Sequence, residues 1–409
     1  MKIAYLVDRF PAISETFVLA QITGMIDKGH EVHVFARRGA TTNVAHTRVD
    51  RYRLREMTTY SPLPPASVTA RVRAALRIVG LAWKNGQIAS VVRALKVFWF
   101  GWAALNLRLL ISAAPYFDHP DIDVVHCQFG DLATEIWRLR QCGALKGALV
   151  TSFRGTDAMK VAAKNPRRFA RLFSDGEKFL AVSYAVRDKL IQVGCPEPKI
   201  EVLRSGINLE RFQFRGYRPV NDPLRVISVG RLAPNKGIEF CIRAIAALRE
   251  SGVGVEYRIL GGGPLRKTLE ALVGDLGLED IVVFEGPTTS DTVIDAIGAA
   301  DVLVTPSITG PNGEQEGLPN APKEAMAIAV PVIASSIGGI PELVKAGETG
   351  FLVSEKDPAS IASAISSIQV ASDDLEAIIT AARALIDREF DIVMLNDRLE
   401  ATYRDLVVA

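Results

Sequence analysis

The sequence predicts an α/β protein built from two facing Rossmann-like, doubly wound domains with a cleft between them. Three observations carry that expectation. Short apolar runs of β type alternate with helical patterns along both halves of the chain. A length of 409 residues exceeds one ordinary domain. The formal net charge of +2 conceals two halves of opposite sign: residues 1–220 carry 33 Lys and Arg against 18 Asp and Glu, and residues 221–409 carry 15 against 28. Such asymmetry suits domains with different partners, the basic half preferring an anionic one. With 48% hydrophobic residues and no low-complexity tract, a well-packed core is expected.

The first apolar run, residues 3–7, ends in a loop from Asp8 to Thr16 that contains Pro11. A helical pattern follows (Phe17, Ile22, Met25, Ile26) and stops at Gly29, before a second strand over 31–36. This β-loop-α-β order opens a parallel sheet. Strand-like runs recur at 124–126, 148–152 and 179–182. Beyond the polar, Pro-containing segment 215–223 a new series begins: 225–229, 256–260, 281–284, 302–305 and 330–334. The division is therefore 1–215 and 216–385, with a final helix in 386–409 that has the length to cross back to the first domain.

One segment breaks the alternation. Residues 57–117 contain no Asp or Glu but seven bases, Arg71, Arg73, Arg77, Lys84, Arg93, Lys96 and Arg108, interleaved with apolar residues at helical spacing and with Phe98, Trp99, Phe100 and Trp102. The uncharged stretch 97–107 falls far short of the ~20 residues a membrane-spanning helix needs. A basic amphipathic helical insertion of this kind suits the surface of an anionic membrane; the alternative is a helical pair that covers the sheet with its bases solvated. No recognition-helix motif accompanies the charge, so nucleic acid is not expected.

The four cysteines, Cys127, Cys142, Cys195 and Cys241, are scattered, which fits a reducing compartment. The N-terminal apolar run is short, is followed at once by Asp8 and lacks a small-residue cleavage site, so a cytoplasmic protein is expected. Asp121-Ile122-Asp123 mimics a metal-binding D-x-D but precedes a strand, where a solvated start to the strand is the simpler reading. No His/Cys/carboxylate cluster has metal spacing, and no metal or cofactor is expected.

Chemistry concentrates at three strand ends in the second half. Gly230 to Gly237 follows the run 225–229 and precedes a helix: Gly230 permits a sharp turn, Arg231 offers a planar fork for phosphate, Lys236 adds a point charge, and the helix start contributes N–H groups. This is a diphosphate site, unless the pair is merely a surface Arg and Lys beside a turn. Gly261-Gly262-Gly263-Pro264 follows 256–260; it lacks the third glycine of a dinucleotide fingerprint, leaving backbone approach to a ligand or a simple tight turn. Residues 305–327 run from a strand end through a Gly/Pro-rich loop into a helix whose first turn holds Pro322. Glu316 in the loop is suited to sugar hydroxyls, Glu324 in the helix to the two hydroxyls of a ribose, and the N–H groups of Gly317 and Leu318 to phosphate.

This array resembles the family 4 retaining glycosyltransferases, of the GT-B fold. The likeness rests on Gly230-Arg231 with Lys236, the Gly261–Gly263 turn, Glu316-Gly317-Leu318-Pro319 with Glu324-Ala325-Met326-Ala327, and Gly338-Gly339-Ile340-Pro341-Glu342 with Gly347-Glu348-Thr349-Gly350. Val182-Ser183 and Leu203-Arg204-Ser205-Gly206-Ile207 are similar landmarks in the first half, and the order is right over nearly the whole chain. Phe10-Pro11 with Ser14-Glu15-Thr16-Phe17 resembles the branch that builds bacterial exopolysaccharides of the colanic acid type.

The resemblance implies transfer of a sugar, with retention, from a UDP- or GDP-sugar held by the second domain. The acceptor would be a lipid-linked or polysaccharide molecule bound by the first domain, at the inner face of the cytoplasmic membrane. Arg231 and Lys236 would hold the donor diphosphate, Glu316 the sugar and Glu324 the ribose, with Gly230, Gly262, Gly317 and Leu318 around the donor. Two positions depart from the family pattern. Arg154-Gly155-Thr156-Asp157 stands where many relatives have His-Gly-x-Asp; Arg154 is able to bind the leaving diphosphate but not to act as a base near neutral pH. The paired glycines of the first loop are absent, so Ser14 and Thr16 are expected to donate to phosphate instead. Asp157 and His126 are assigned to the acceptor side, His126 alternatively being a satisfied structural histidine. An epimerase or phosphorylase on the same fold, or a non-catalytic nucleotide-sugar-binding scaffold, are the alternatives.

Overall fold

In the computed structural model, the described residues are 1–12, 15–40, 47–61, 64–119, 121–155, 157–159, 165–370 and 372–408. The first sheet comprises β1 (Lys2–Phe10), β2 (Glu31–Gly39), β3 (Thr58–Tyr60), β4 (Val124–Cys127), β5 (Ala148–Phe153), β6 (Lys178–Ala181) and β7 (Ile200–Val202). The second comprises β8 (Leu224–Val229), β9 (Val255–Leu260), β10 (Val282–Gly286), β11 (Val302–Thr305), β12 (Val332–Ser335) and β13 (Phe351–Val353). Their orders are β3-β2-β1-β4-β5-β6-β7 and β10-β9-β8-β11-β12-β13, with parallel neighbours throughout. Each order reverses beside its first strand, β1 against β4 and β8 against β11, and ligands bind at such switch points.

Central strands are apolar on both faces because helices cover both: residues 3–7 of β1 are all buried, Ile3 pairing with Val32 on one side and Val124 on the other. β1 continues to Phe10, three residues into the expected loop, because Arg9 and Phe10 keep their register with Arg38 and Gly39. β3, β7 and β13 have no counterpart among the expected strands. All three are edge strands of three residues, too short for an alternation to register.

The insertion covers the sheet and also faces outward. Helices Val68–Lys84, Ile88–Ala94 and Arg108–Ala113 bury Ala75, Ile78, Ala82, Val91, Leu110 and Ile111 in one core with helix Gly130–Gln141. The opposite sheet face is covered by helix Thr16–Asp27 and the C-terminal helix Ile392–Val408, whose Leu395, Leu399 and Tyr403 join Ile3, Tyr5 and Val34. Asn396 donates to the Ala20 carbonyl at 3.2 Å, and Lys28 pairs with Glu400 at 3.1 Å. The last helix thus packs on the first domain. Among the described residues no helix is long and apolar enough to cross a membrane.

Candidate functional site

The loops at the carboxyl ends of the two sheets enclose a cleft of about 430 Å³. Its lower wall is the second domain's switch point. The loop after β8 and the loop after β11 are tied by a 2.9 Å bond from the Ile308 N–H to the Asn235 carbonyl. Lys236 Nζ lies 2.8 Å from Glu316 Oε1, and Asn235 Nδ2 donates to the same oxygen at 3.1 Å. Arg231 projects into the cleft, exposed and without an ion-pair partner among the described residues. Gly317, Leu318 and the start of helix Asn320–Ala327 also line it, bringing the positive end of the helix dipole to the same place. Glu324 lines the cleft one turn further in; burial raises its carboxyl, with Lys323 and Arg211 opposing.

The upper wall belongs to the first domain: Thr16, Phe17, Arg154, Val182 and Ser205. Arg154 Nη2 donates to Gln128 Oε1 at 2.6 Å and to Gln21 Oε1 at 3.3 Å, and its guanidinium lies 4.5 Å from the Phe17 ring centroid. Burial lowers it to about 10, with Asp157 and Glu15 pulling the other way, so it remains a cation near neutral pH. Two buried polar atoms of residues on these walls, Arg154 Nε and Ser307 Oγ, have no partner among the described residues. A buried donor left unpaired is costly, and both atoms belong to residues that line the cleft.

The comparisons with known proteins agree with this geometry. Residues 14–211 match the family described as Glycosyltransferase Family 4, and residues 210–385 match Glycosyl transferases group 1. The putative colanic acid biosynthesis glycosyltransferase WcaL of Salmonella typhimurium is 35% identical over 404 residues, 98% of each chain. The chain belongs to the family 4 glycosyltransferases. The amylovoran biosynthesis glycosyltransferase AmsK of Erwinia amylovora is 33% identical over 401 residues, 96% of each chain. Sucrose-phosphate synthase from Thermosynechococcus elongatus shares the fold at a TM-score of 0.73 and 20% identity, covering 100% of this chain and 99% of that one. HepE of Anabaena, solved with UDP-glucose, does so at 0.72 and 18%, covering 99% and 100%. The two sheets of this glycosyltransferase are thus the paired domains of the GT-B fold.

Several expected site residues sit elsewhere in the enzyme. His126 is fully buried and does not line the cleft: its Nδ1 is 2.5 Å from the Tyr403 hydroxyl and its Nε2 2.8 Å from Ser152 Oγ. Burial, reinforced by Arg154, holds it well below the usual histidine range, so it is a neutral clasp for the C-terminal helix rather than an acceptor contact. Asp157 is likewise occupied: one oxygen accepts from the Arg154 and Ala158 N–H groups, the other from Gly130 N–H at 2.9 Å. It fixes the Arg154 loop against helix Gly130–Gln141. Gly262 stands outside the cleft and uses its carbonyl to accept from Leu232 N–H at 3.0 Å, while Gly261, at φ +139°, lies so close to Gly230 that a Cβ would meet its carbonyl oxygen at 1.8 Å. The glycine turn packs two loops together. Ser14 lies outside the described residues. Thr16 is on the cleft wall, 3.4 Å from Asn320 Nδ2 of the other domain. Asp121 and Asp123 sit at the far, amino end of β4, engaged by Lys2.

Residues quoted only as landmarks of the resemblance, with no role given them, hold the domains together. Arg204 Nη1 meets Glu342 Oε2 at 2.9 Å, and Glu342 also accepts from Ala185 N–H at 2.9 Å. Lys323, 0% exposed, donates to the Ser205 carbonyl at 2.7 Å and hydroxyl at 2.9 Å, and burial pulls it down to about 7. A lysine in the first turns of a helix opposes the dipole; that misfit was the available signal.

Glu15, beside Arg154, gives a pH prediction. Burial lifts its carboxyl from 4.5 to about 7, against the pull of Arg154 and Arg9 and with the push of Asp8. The folded state therefore holds this proton more tightly than the unfolded one. The associated stability is complete below about 4.5 and lost as pH rises through about 7. Glu15→Gln is expected to flatten that portion of a Tm-against-pH profile. An unaltered slope in the variant would assign the dependence to another group.

Proposed function

We propose that this glycosyltransferase moves a sugar, with retention, from a nucleotide sugar to a lipid-linked or polysaccharide acceptor, in the synthesis of a bacterial exopolysaccharide. The observation that carries this reading is the Lys236–Glu316 pair with Arg231 beside it and Arg154 across the cleft. Three cations converge where a diphosphate would leave, in a site partly shielded from water, where charge stabilisation is strongest. Glu316 is held by Lys236 and Asn235, which suits a carboxylate that orients sugar hydroxyls better than one that attacks carbon. The acceptor oxygen then enters on the face the diphosphate leaves, and the departing phosphate takes its proton. Glu324 receives the ribose. Charge compensation comes from side chains, so no metal is required. The names of WcaL and AmsK support the exopolysaccharide process, and the UDP-glucose bound by HepE supports a nucleotide-sugar donor.

The test is a panel of UDP- and GDP-sugars in thermal melts, since a ligand bound only by the folded state stabilises it by about 2.7 kcal/mol at a hundredfold excess over Kd. One or two members are expected to raise Tm and to be consumed only when acceptor is present. No shift with any member would remove the reading; consumption without acceptor would favour an epimerase.

Contact with an anionic membrane belongs to the same proposal. Among the described residues, eleven of the eighteen exposed large hydrophobic ones fall between Val68 and Leu105, including Phe98 at 97%, Trp99 at 72% and Trp102 at 74% exposure. They alternate with Arg73, Arg77, Lys84 and Lys96 and with no acid. A patch of this size marks an interaction surface, and its charge matches anionic headgroups. Phe98→Ser with Trp99→Ser is expected to abolish flotation with anionic vesicles while leaving donor-induced stabilisation intact; flotation equal to wild type would exclude this surface.

A further inference from the structure

A second cavity, of about 520 Å³, lies in the first domain between the sheet, helix Gly130–Gln141 and the insertion. Its floor is apolar, with Leu6, Val7 and Phe35, and its rim carries Arg37, Arg38, Arg108 and Arg138. Arg37 is engaged by Glu135 at 2.5 Å and Asp8 at 3.8 Å, and Arg38 by Asp8 at 3.7 Å. Arg108 and Arg138 have no side-chain ion pair among the described residues and are exposed. Four guanidiniums against two carboxylates leave two uncompensated positive charges. Trp102 lines this cavity and also belongs to the exposed aromatic patch with Phe98 and Trp99. On the other side, β1 contributes Leu6 and Val7 here, and the chain that follows it contributes Thr16 and Phe17 to the donor cleft. An anionic group seated in the cavity therefore has a greasy, basic surface behind it and the reaction cleft ahead.

We propose that this cavity seats the diphosphate of a lipid-linked acceptor. The inference rests on reading the chain as a transferase that works at a membrane. A diphosphate diester carries two negative charges near neutral pH, equal to the uncompensated charge of the rim, and guanidinium forks suit its oxygens. Its hydrocarbon chain leaves past Trp102 toward Phe98 and Trp99, and its glycan extends along the carboxyl ends of the strands to the cleft. A soluble anionic saccharide offers nothing to the aromatic patch that adjoins the rim.

The experiment measures binding of the full chain to phosphatidylcholine vesicles doped with a long-chain polyisoprenyl diphosphate or with the corresponding alcohol. Wild type is expected to prefer the diphosphate vesicles roughly thirtyfold, since each of the two uncompensated cations contributes about 1 kcal/mol near an anionic surface. Arg108→Glu with Arg138→Glu, or the milder Gln pair, should lose that preference while keeping wild-type melting and the donor-induced shift. Lys236→Ala should retain the preference, because its cation serves the other site. Equal binding of both vesicles by wild type overturns the proposal, as does a preference that survives both arginine pairs or disappears in Lys236→Ala. Competition by inorganic pyrophosphate as strong as that by the lipid form would overturn the lipid assignment. Failure of every nucleotide sugar to shift the melt is a separate result and counts against the donor reading alone.

Discussion

Lys236→Ala is expected to lower kcat/KM for sugar transfer by about 10²–10³-fold, with little change in Tm, because one preorganised donor at a developing negative charge is worth that much. Lys236 is half-buried on the cleft wall, and its ammonium is bonded to Glu316 rather than to any core group. Its removal leaves Glu316 with Asn235 and solvent, a small loss of stability at a partly exposed pair. The loss appears instead in the transition state, where charge accumulates on the departing diphosphate and Arg231 alone remains on that wall to meet it. Glu316→Ala should produce a loss of similar size by another route: Lys236 is freed, the diphosphate is still bound, and the sugar is no longer oriented. Donor affinity therefore separates the two, weakened in Lys236→Ala and largely kept in Glu316→Ala. Steady-state rates and donor-induced melting shifts measure both quantities. Rates near wild type in both variants would sink the assignment of the pair.

Those two residues were legible in the sequence for a physical reason. Loops at the carboxyl ends of parallel strands interrupt apolar runs with Gly, Pro and charge, so Gly230-Arg231 and Glu316-Gly317 stand out locally, and the switch point brings them together without long-range information. The same local contrast revealed the central strands and the basic insertion. What escaped depends on partners distant in sequence. His126 lies in a strand, one residue short of its end at Cys127, yet its ring is claimed by Tyr403, 277 residues away. Asp157 looked like a cleft carboxylate because nothing local shows that Gly130 N–H would take one of its oxygens. Gln128 and Gln21, which aim Arg154, belong to no motif. The edge strands β3, β7 and β13 were missed because three residues paired on one side impose almost no pattern.

Gly317→Ala should leave both domains folded and donor binding intact, yet reduce transfer by about 10²-fold, the cost of a misplacement of ~1 Å at the reacting groups. Gly317 lies on the second domain's side of the cleft, and a Cβ built there meets the Arg154 carbonyl oxygen at 2.3 Å and Val182 Cγ1 at 2.7 Å, both on the first domain. Ordinary contact begins near 3.4 Å, so the domains must separate by a comparable margin. The obstacle is backbone, which does not rotate away. Gly317 has no positive φ, so alanine is unstrained in its own domain and the conflict lies across the interface. Gly155, opposite, is a poorer test because its φ of +117° would strain any side chain in addition. Nearby, Arg204–Glu342 and Lys323–Ser205 resist the opening, so the displacement is concentrated where Arg154 faces Arg231 and Lys236. A donor-induced melting shift equal to wild type, with transfer lost and a slightly larger radius of gyration in solution scattering, is the expected combination. Transfer at the wild-type rate would mean that the closed contact between Gly155 and Gly317 is not the working arrangement of the cleft.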